Sequence, residues 1–189
     1  SNATDTTVTW TSSNETIATI DQSGIVTALT VGETTITAVT TDGSFEAVAS
    51  VTVLPTLVTG VTIDPTSIQI YLGSTGSLKA NISPTNATDT TVTWTSSNET
   101  IATIDQSGVV TAIAVGEVTI TAVTTDGAFE AVASATVLPI SVTGLTIEPS
   151  ALKILLGSTG SLTANVVPEN ATNKAITWTS DDTSIATID

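Results

Sequence analysis

Residues 92–108 read VTWTSSNETIATIDQSG, the same string stands at 8–24, and a close variant, ITWTSDDTSIATID, stands at 176–189. Val92 and Trp94 alternate with threonines, Ile101 and Ile104 bracket a shorter apolar step, and Asp105-Gln106-Ser107-Gly108 is a run of turn formers. That is two short strands joined by tight turns, met three times over. Trp10, Trp94 and Trp178 are spaced 84 residues apart. Sliding the chain by this offset lays 1–55 on 85–139 with seven differences, among them Ile25/Val109, Leu29/Ile113 and Ser44/Ala128. Ser1, Asn2 and Ala3 fall on Thr85, Asn86 and Ala87 in the same alignment. The offset also lays 56–105 on 140–189 with Gly60/Gly144, Pro65/Pro149, Gly73/Gly157, Gly76/Gly160 and Pro84/Pro168 kept. A period of 84 residues is long for a solenoid unit and suits a self-contained β-sandwich.

Leu54-Pro55 and Leu138-Pro139 each close an alternating strand. The sequence therefore divides into a partial module over 1–55 carrying C-terminal strands, a complete module over 56–139, and a partial module over 140–189 carrying N-terminal strands. In the complete module Val61 and Ile63 begin a strand that Pro65 interrupts, as suits an edge. Ile68, Ile70 and Leu72 alternate up to a Gly73-Ser74-Thr75-Gly76 turn, and Leu78, Ala80 and Ile82 form the next inward row. Val118, Ile120 and Ala122 lead to Thr125-Asp126-Gly127, a hairpin signal, and Phe129 to Val137 alternate along the last strand. Seven or eight strands with turns every 8 to 12 residues predict an all-β, immunoglobulin-like sandwich repeated in tandem.

Composition excludes whole classes of function. The 189 residues hold 18 Asp and Glu against 3 Lys, at 79, 153 and 174, for a formal charge of −15. Nothing in the chain neutralises a phosphate backbone, so nucleic acid is excluded as a partner, and no apolar run approaches the length of a membrane span. His, Cys and Met are absent, which removes the usual general base, the thiolate nucleophile, disulfides and soft-metal ligands. With 43 Thr and abundant Val and Ile the chain is β-branched, and unlike the charge-rich composition of disorder.

The string Val58-Thr59-Gly60, Leu72-Gly73, the run from Pro84 to Ala87, Val92 to Asn98, Ile101 to Asp105, and Gly116 through Asp126-Gly127 resembles the bacterial immunoglobulin-like domain, group 2. This is the repeated module of intimin- and invasin-type adhesins and other bacterial surface proteins. The resemblance covers all three copies. It implies an extracellular sandwich strung in tandem that spaces or presents other domains, with no catalytic residues to transfer.

The candidate site residues divide by chemistry. Trp10, Trp94 and Trp178 have faces suited to sugar stacking, but each lies in phase with an apolar neighbour (Val8, Val92, Ile176), which assigns them to the core. Asp105 with Asp126, their equivalents Asp21 and Asp42, and Asp64 with Glu148 beside the module starts are the calcium candidates. Their spacing matches no dense ligand loop, so solvated turn carboxylates are expected and no cofactor is assigned. Asp181 and Asp182 replace Ser97 and Asn98 in the last copy. Asn86-Ala87-Thr88 and Asn98-Glu99-Thr100 fit a glycosylation pattern and are read as turn chemistry.

A non-catalytic spacer or stalk of a bacterial surface or secreted protein is the expected function, with neighbouring modules as its partners. The alternative is an adhesion module whose end loops, 85–91 and 124–127, contact a host receptor or cell-wall glycan. The phase of the repeat carries a further expectation. The piece 140–168 supplies what 1–55 lacks, so strand complementation between chains, 1–55 with 140–189, gives a closed dimer or a head-to-tail row.

Overall fold

The structure is a computed structural model describing residues 5–189; the first four residues of the 1–55 module, including the Ser1-Asn2-Ala3 alignment, lie outside the described residues. Sixteen strands are described: β1 (Val8–Ser12), β2 (Ala18–Ile20), β3 (Val26–Ala28), β4 (Gly32–Thr40), β5 (Glu46–Val53), β6 (Gly60–Asp64), β7 (Ser67–Tyr71) and β8 (Thr75–Ser77). They continue as β9 (Lys79–Ser83), β10 (Val92–Ser96), β11 (Ala102–Ile104), β12 (Val109–Ala112), β13 (Gly116–Thr124), β14 (Glu130–Leu138), β15 (Gly144–Glu148) and β16 (Thr163–Val167). Among the described residues there is no helix, so none is long and apolar enough to cross a membrane. The described residues form two compact units, 5–58 with 86–89, and 59–85 with 90–189.

The complete module, β6 to β14, is a two-layered sandwich. One layer has the order β10-β13-β14-β7, antiparallel except that β7 joins β14 in parallel, with Ile68 opposite Ala135 and Ile70 opposite Val137. The other has β11-β12-β8 and β6-β9. Only Leu78 separates β8 from β9, so one stretch of chain pairs with β12 through its first half and with β6 through its second. The opening strand also changes layer. β6 pairs with β9, and after the cis peptide bond Asp64-Pro65 the chain continues as β7 against β14. Where the sequence suggested one interrupted edge strand, the proline divides two strands that serve opposite sheets.

The inward rows meet as expected of period-2 alternation. Ile63, Ile70, Leu78, Trp94, Val110, Val118, Ile120 and Val137 form a single buried cluster with small residues such as Ala122, Ala133 and Ala135 between them. Alanines on β13 and β14 leave room for Trp94 of the same sheet and for Ile63 of the facing layer, because a sandwich core about 10 Å thick must balance large against small side chains.

The two other copies hold only part of this architecture. Residues 5–54 form the sheet β1-β4-β5 and the pair β2-β3, in the registers of their counterparts. Residues 144–167 form the single pair β15-β16, and none of the described residues after Val167 is in a strand. Near-identical residues therefore sit in different surroundings. Val110 is 0% exposed and its counterpart Val26 is 40%; Ile63 is 4% and Ile147 is 42%; Ile70 is 7% and Ile154 is 48%.

Candidate functional site

Turn chemistry accounts for the conspicuous polar residues. Between β11 and β12, Asp105 Oδ1 accepts the backbone N–H of Ser107 (2.8 Å) and of Val109 (3.0 Å) and the Ser107 hydroxyl (2.6 Å). The Ser107 hydroxyl first, and the Val109 N–H after it, hold this carboxyl below the usual carboxylate range. Asp21 accepts the equivalent N–H groups of Ser23 (2.8 Å) and Ile25 (3.0 Å). These are aspartates spent on closing a turn whose Gly108 stands at φ +85°.

The turn after β13 is tied differently. Thr124 is buried, and its hydroxyl donates to the Asp126 carbonyl (2.7 Å) while accepting the Phe129 N–H (2.9 Å). Thr40 does the same with Asp42 and Phe45 (2.8 and 3.0 Å). Asp64 ends β6 opposite Lys79, and Glu148 ends β15 opposite Thr163. Among the described residues no three carboxylates gather where they could hold a cation together. In the last copy Asp182 takes over the role of Asn98. Asn98 Oδ1 accepts the Thr100 N–H and hydroxyl (3.1 and 2.7 Å), and Asp182 Oδ1 accepts those of Ser184 (2.9 and 2.5 Å). The Ser184 hydroxyl, then its N–H, keeps the Asp182 carboxyl low.

Trp94 is 5% exposed and belongs to the buried cluster, whereas Trp10 and Trp178 are half-buried. Composition and periodicity gave no reason to single out the glutamine twelve residues after the tryptophan. Gln106 Oε1 accepts the Trp94 backbone N–H at 3.0 Å and its Nε2 donates to the Trp94 backbone carbonyl at 3.1 Å, and Gln22 does the same to Trp10 at 3.3 and 3.2 Å. β10 is an outer strand of its sheet, so the side-chain amide occupies backbone groups that a further strand would otherwise take. The signal available in the sequence was the fixed Trp-to-Gln spacing.

A groove of about 480 Å³ lies beside Trp94, lined by Asp64, Leu78, Lys79 and Gln106 among others. Of its lining residues only Asp64 carries a carboxylate, so the groove lacks the facing pair of carboxyls that glycoside cleavage uses. The module starts show a second repeated device. The Thr56 N–H donates to Thr88 Oγ1 (2.8 Å) and the Thr88 N–H to the Thr56 carbonyl (2.8 Å). The same pair of bonds joins Ile140 and Thr172, at 2.8 and 2.9 Å.

A family model described as Bacterial Ig-like domain (group 2) matches residues 1–51, 57–135 and 141–189. Among relatives, an uncharacterized protein of Clostridium acetobutylicum is 33% identical over 147 residues, covering 78% of this chain and 15% of that protein. An Ig-like virion protein of Serratia phage KSP90 is 37% identical over 131 residues, covering 68% of this chain and 51% of that protein. The chain thus spans about half or less of the length of these two relatives. Among solved structures, domains 1–6 of the surface layer protein SbsC align with a TM-score of 0.43 at 23% identity, over 76% of this chain and 22% of that one.

Proposed function

Because the chain belongs to the bacterial Ig-like domain (group 2) family, we propose that it works as a non-catalytic spacer, a row of sandwich modules holding other domains away from an extracellular bacterial surface. The observation that carries this reading is the repeated start of each module. A Leu-Pro step is followed by a residue fixed by two backbone-mediated hydrogen bonds to the Asn-Ala-Thr loop, Thr56 to Thr88 and Ile140 to Thr172. Two bonds and a proline restrict the swing of a linker far more than a Gly/Ser tether would. The net charge of −15 keeps such a row soluble and self-repelling.

The polar atoms of the turns support the same reading, since Asp105, Thr124 and Asn98 are already engaged by their own loops. Loops 85–91 and 124–127 carry small polar groups and no aromatic anchor, so receptor or glycan adhesion has no comparable support. Small-angle scattering on the 189-residue chain at low concentration tests the spacer reading. A radius of gyration well above the roughly 16 Å of a compact globule of this length is expected. A value near that figure, or dose-dependent glycan-array binding lost on substitution of either loop, overturns it.

A further inference from the structure

β10 is an outer strand of its sheet, and the ladder on its paired side fixes what it offers on the other. The Ser97 N–H donates to the Thr119 carbonyl (2.9 Å) and the Thr125 N–H to the Thr91 carbonyl (3.1 Å), so the odd-numbered residues along this stretch face β13. Backbone groups alternate along a strand, and those of Val92, Trp94 and Ser96 therefore point away from the sheet. The strand itself carries none of the devices that usually keep such an edge from pairing. Residues 90–97 read TTVTWTSS, uncharged, free of proline and rich in β-formers. The outward pattern is also self-complementary. Set antiparallel against another β10 with Trp94 at the two-fold axis, the strand brings Trp94 opposite Trp94, Val92 opposite Ser96 and Thr93 opposite Thr95, and every outward backbone group meets a partner.

Gln106 interrupts this edge at its centre. Its amide takes both the N–H and the carbonyl of Trp94, the middle one of the outward residues, so no two successive rungs stay open. The turn that carries the glutamine is itself held in place. Asp105 Oδ1 ties it through the Ser107 and Val109 N–H groups, and a Cβ at Gly108 would collide with the Leu78 carbonyl oxygen, which lies directly over it. On β1, also an outer strand and identical to β10 in sequence, Gln22 caps Trp10 in the same way. Modules that share one edge sequence are ready partners for each other, and each of these two edges carries the same plug.

We propose that Gln106 and Gln22 are edge guards, the groups that keep β10 and β1 from pairing with the same strand of another module. With the Gln106 amide gone, the β10 edge accepts β10 of a second chain in the register given above. The role goes beyond the spacer reading, because it concerns what a module in a row must not bind.

Sedimentation velocity from about 1 to about 200 µM tests the proposal on the 189-residue chain and on Gln106→Leu, whose side chain is of similar size and makes neither bond. At the highest concentration the variant is expected to sediment with about twice the mass of the unaltered chain, with circular dichroism unchanged, since one edge per chain is open. Adding Gln22→Leu opens a second edge, and species larger than the pair are expected. Thr93→Lys with Thr95→Lys, at exposed positions, is expected to return Gln106→Leu to the mass of the unaltered chain. Like charges then face each other across the new ladder, although the chain as a whole becomes less negative. Hydrogen exchange reads the cap on the unaltered chain, where the Trp94 N–H is expected to exchange about tenfold or more slower than the Val92 N–H. Gln106→Leu that sediments as the unaltered chain does at every concentration overturns the proposal, as does association that the lysines leave in place. Equal exchange at the two amides overturns it whether or not the leucine variant folds.

Discussion

At the scale of single residues, the repeat provides its own controls. Gly108 and Gly24 have nearly the same φ, +85° and +84°, and the same Asp-Gln-Ser before them, but only Gly108 lies under a crossing chain. Alanine at Gly24 is expected to cost about 1–2 kcal/mol for the left-handed conformation alone. At Gly108 the Leu78 backbone must also move, and the loss is expected to exceed that of Gly24→Ala by about 1 kcal/mol or more, read by denaturant titration. Equal losses would remove the close approach as an explanation. Asp105 gives a second expectation. Its carboxyl is held low in the folded chain, so the stability it contributes is present above its unfolded value near 3.8 and is lost as pH falls through the folded value. The melting temperature of the complete module should therefore drop below about pH 4, and Asp105→Ala should flatten that drop. Not every such detail was legible beforehand. Thr34 replaces Val118, and its hydroxyl gathers Ser12, Ser13 and the Asn14 N–H at 3.3, 3.1 and 3.0 Å. In the complete module, with valine there, the Ser96 hydroxyl instead reaches the Ala102 carbonyl at 2.7 Å. Period and propensity cannot see a hydroxyl choosing between two acceptors.

At the scale of elements, β5 and β14 carry nearly the same sequence and differ in what lies beside them. Backbone amides that face an open edge exchange with solvent more readily than those in a ladder, so opening free energy tracks the partner strand more than the residues. Hydrogen exchange at low protein concentration is expected to be faster at the Ser50 N–H than at the Ser134 N–H, with slow exchange along β13 and β14. Peptides are separable by mass through Val51 and Ala135. Identical protection at both serines would mean that β5 is covered. Alternation located nearly every strand of the complete module, since its inward rows obey a strict period of two. It did not reveal that the stretch around Leu78 serves two partner strands, or that the chain crosses between layers at Pro65. Both are matters of which neighbour is nearest, and a single strand's pattern is the same whichever sheet receives it. For the candidate site, Asp105 and Asp21 were legible as turn residues, whereas Gln106 was not, because a glutamine reads as plain surface until the strand edge beside it is known.

For the whole molecule, one feature of the complete module bears on how the chain carries a load. β7, near its beginning, and β14, at its end, lie side by side and run the same way. A pull applied to the two termini of that module draws these neighbours past each other along their length. Every bond from the Ser134 N–H to the Leu138 carbonyl then shares the stress at once, where an antiparallel hairpin would unzip one rung at a time. The module should hold firm and then yield in a single abrupt event, as a rivet does under shear, and the threshold for that event is fixed by five residues on each side.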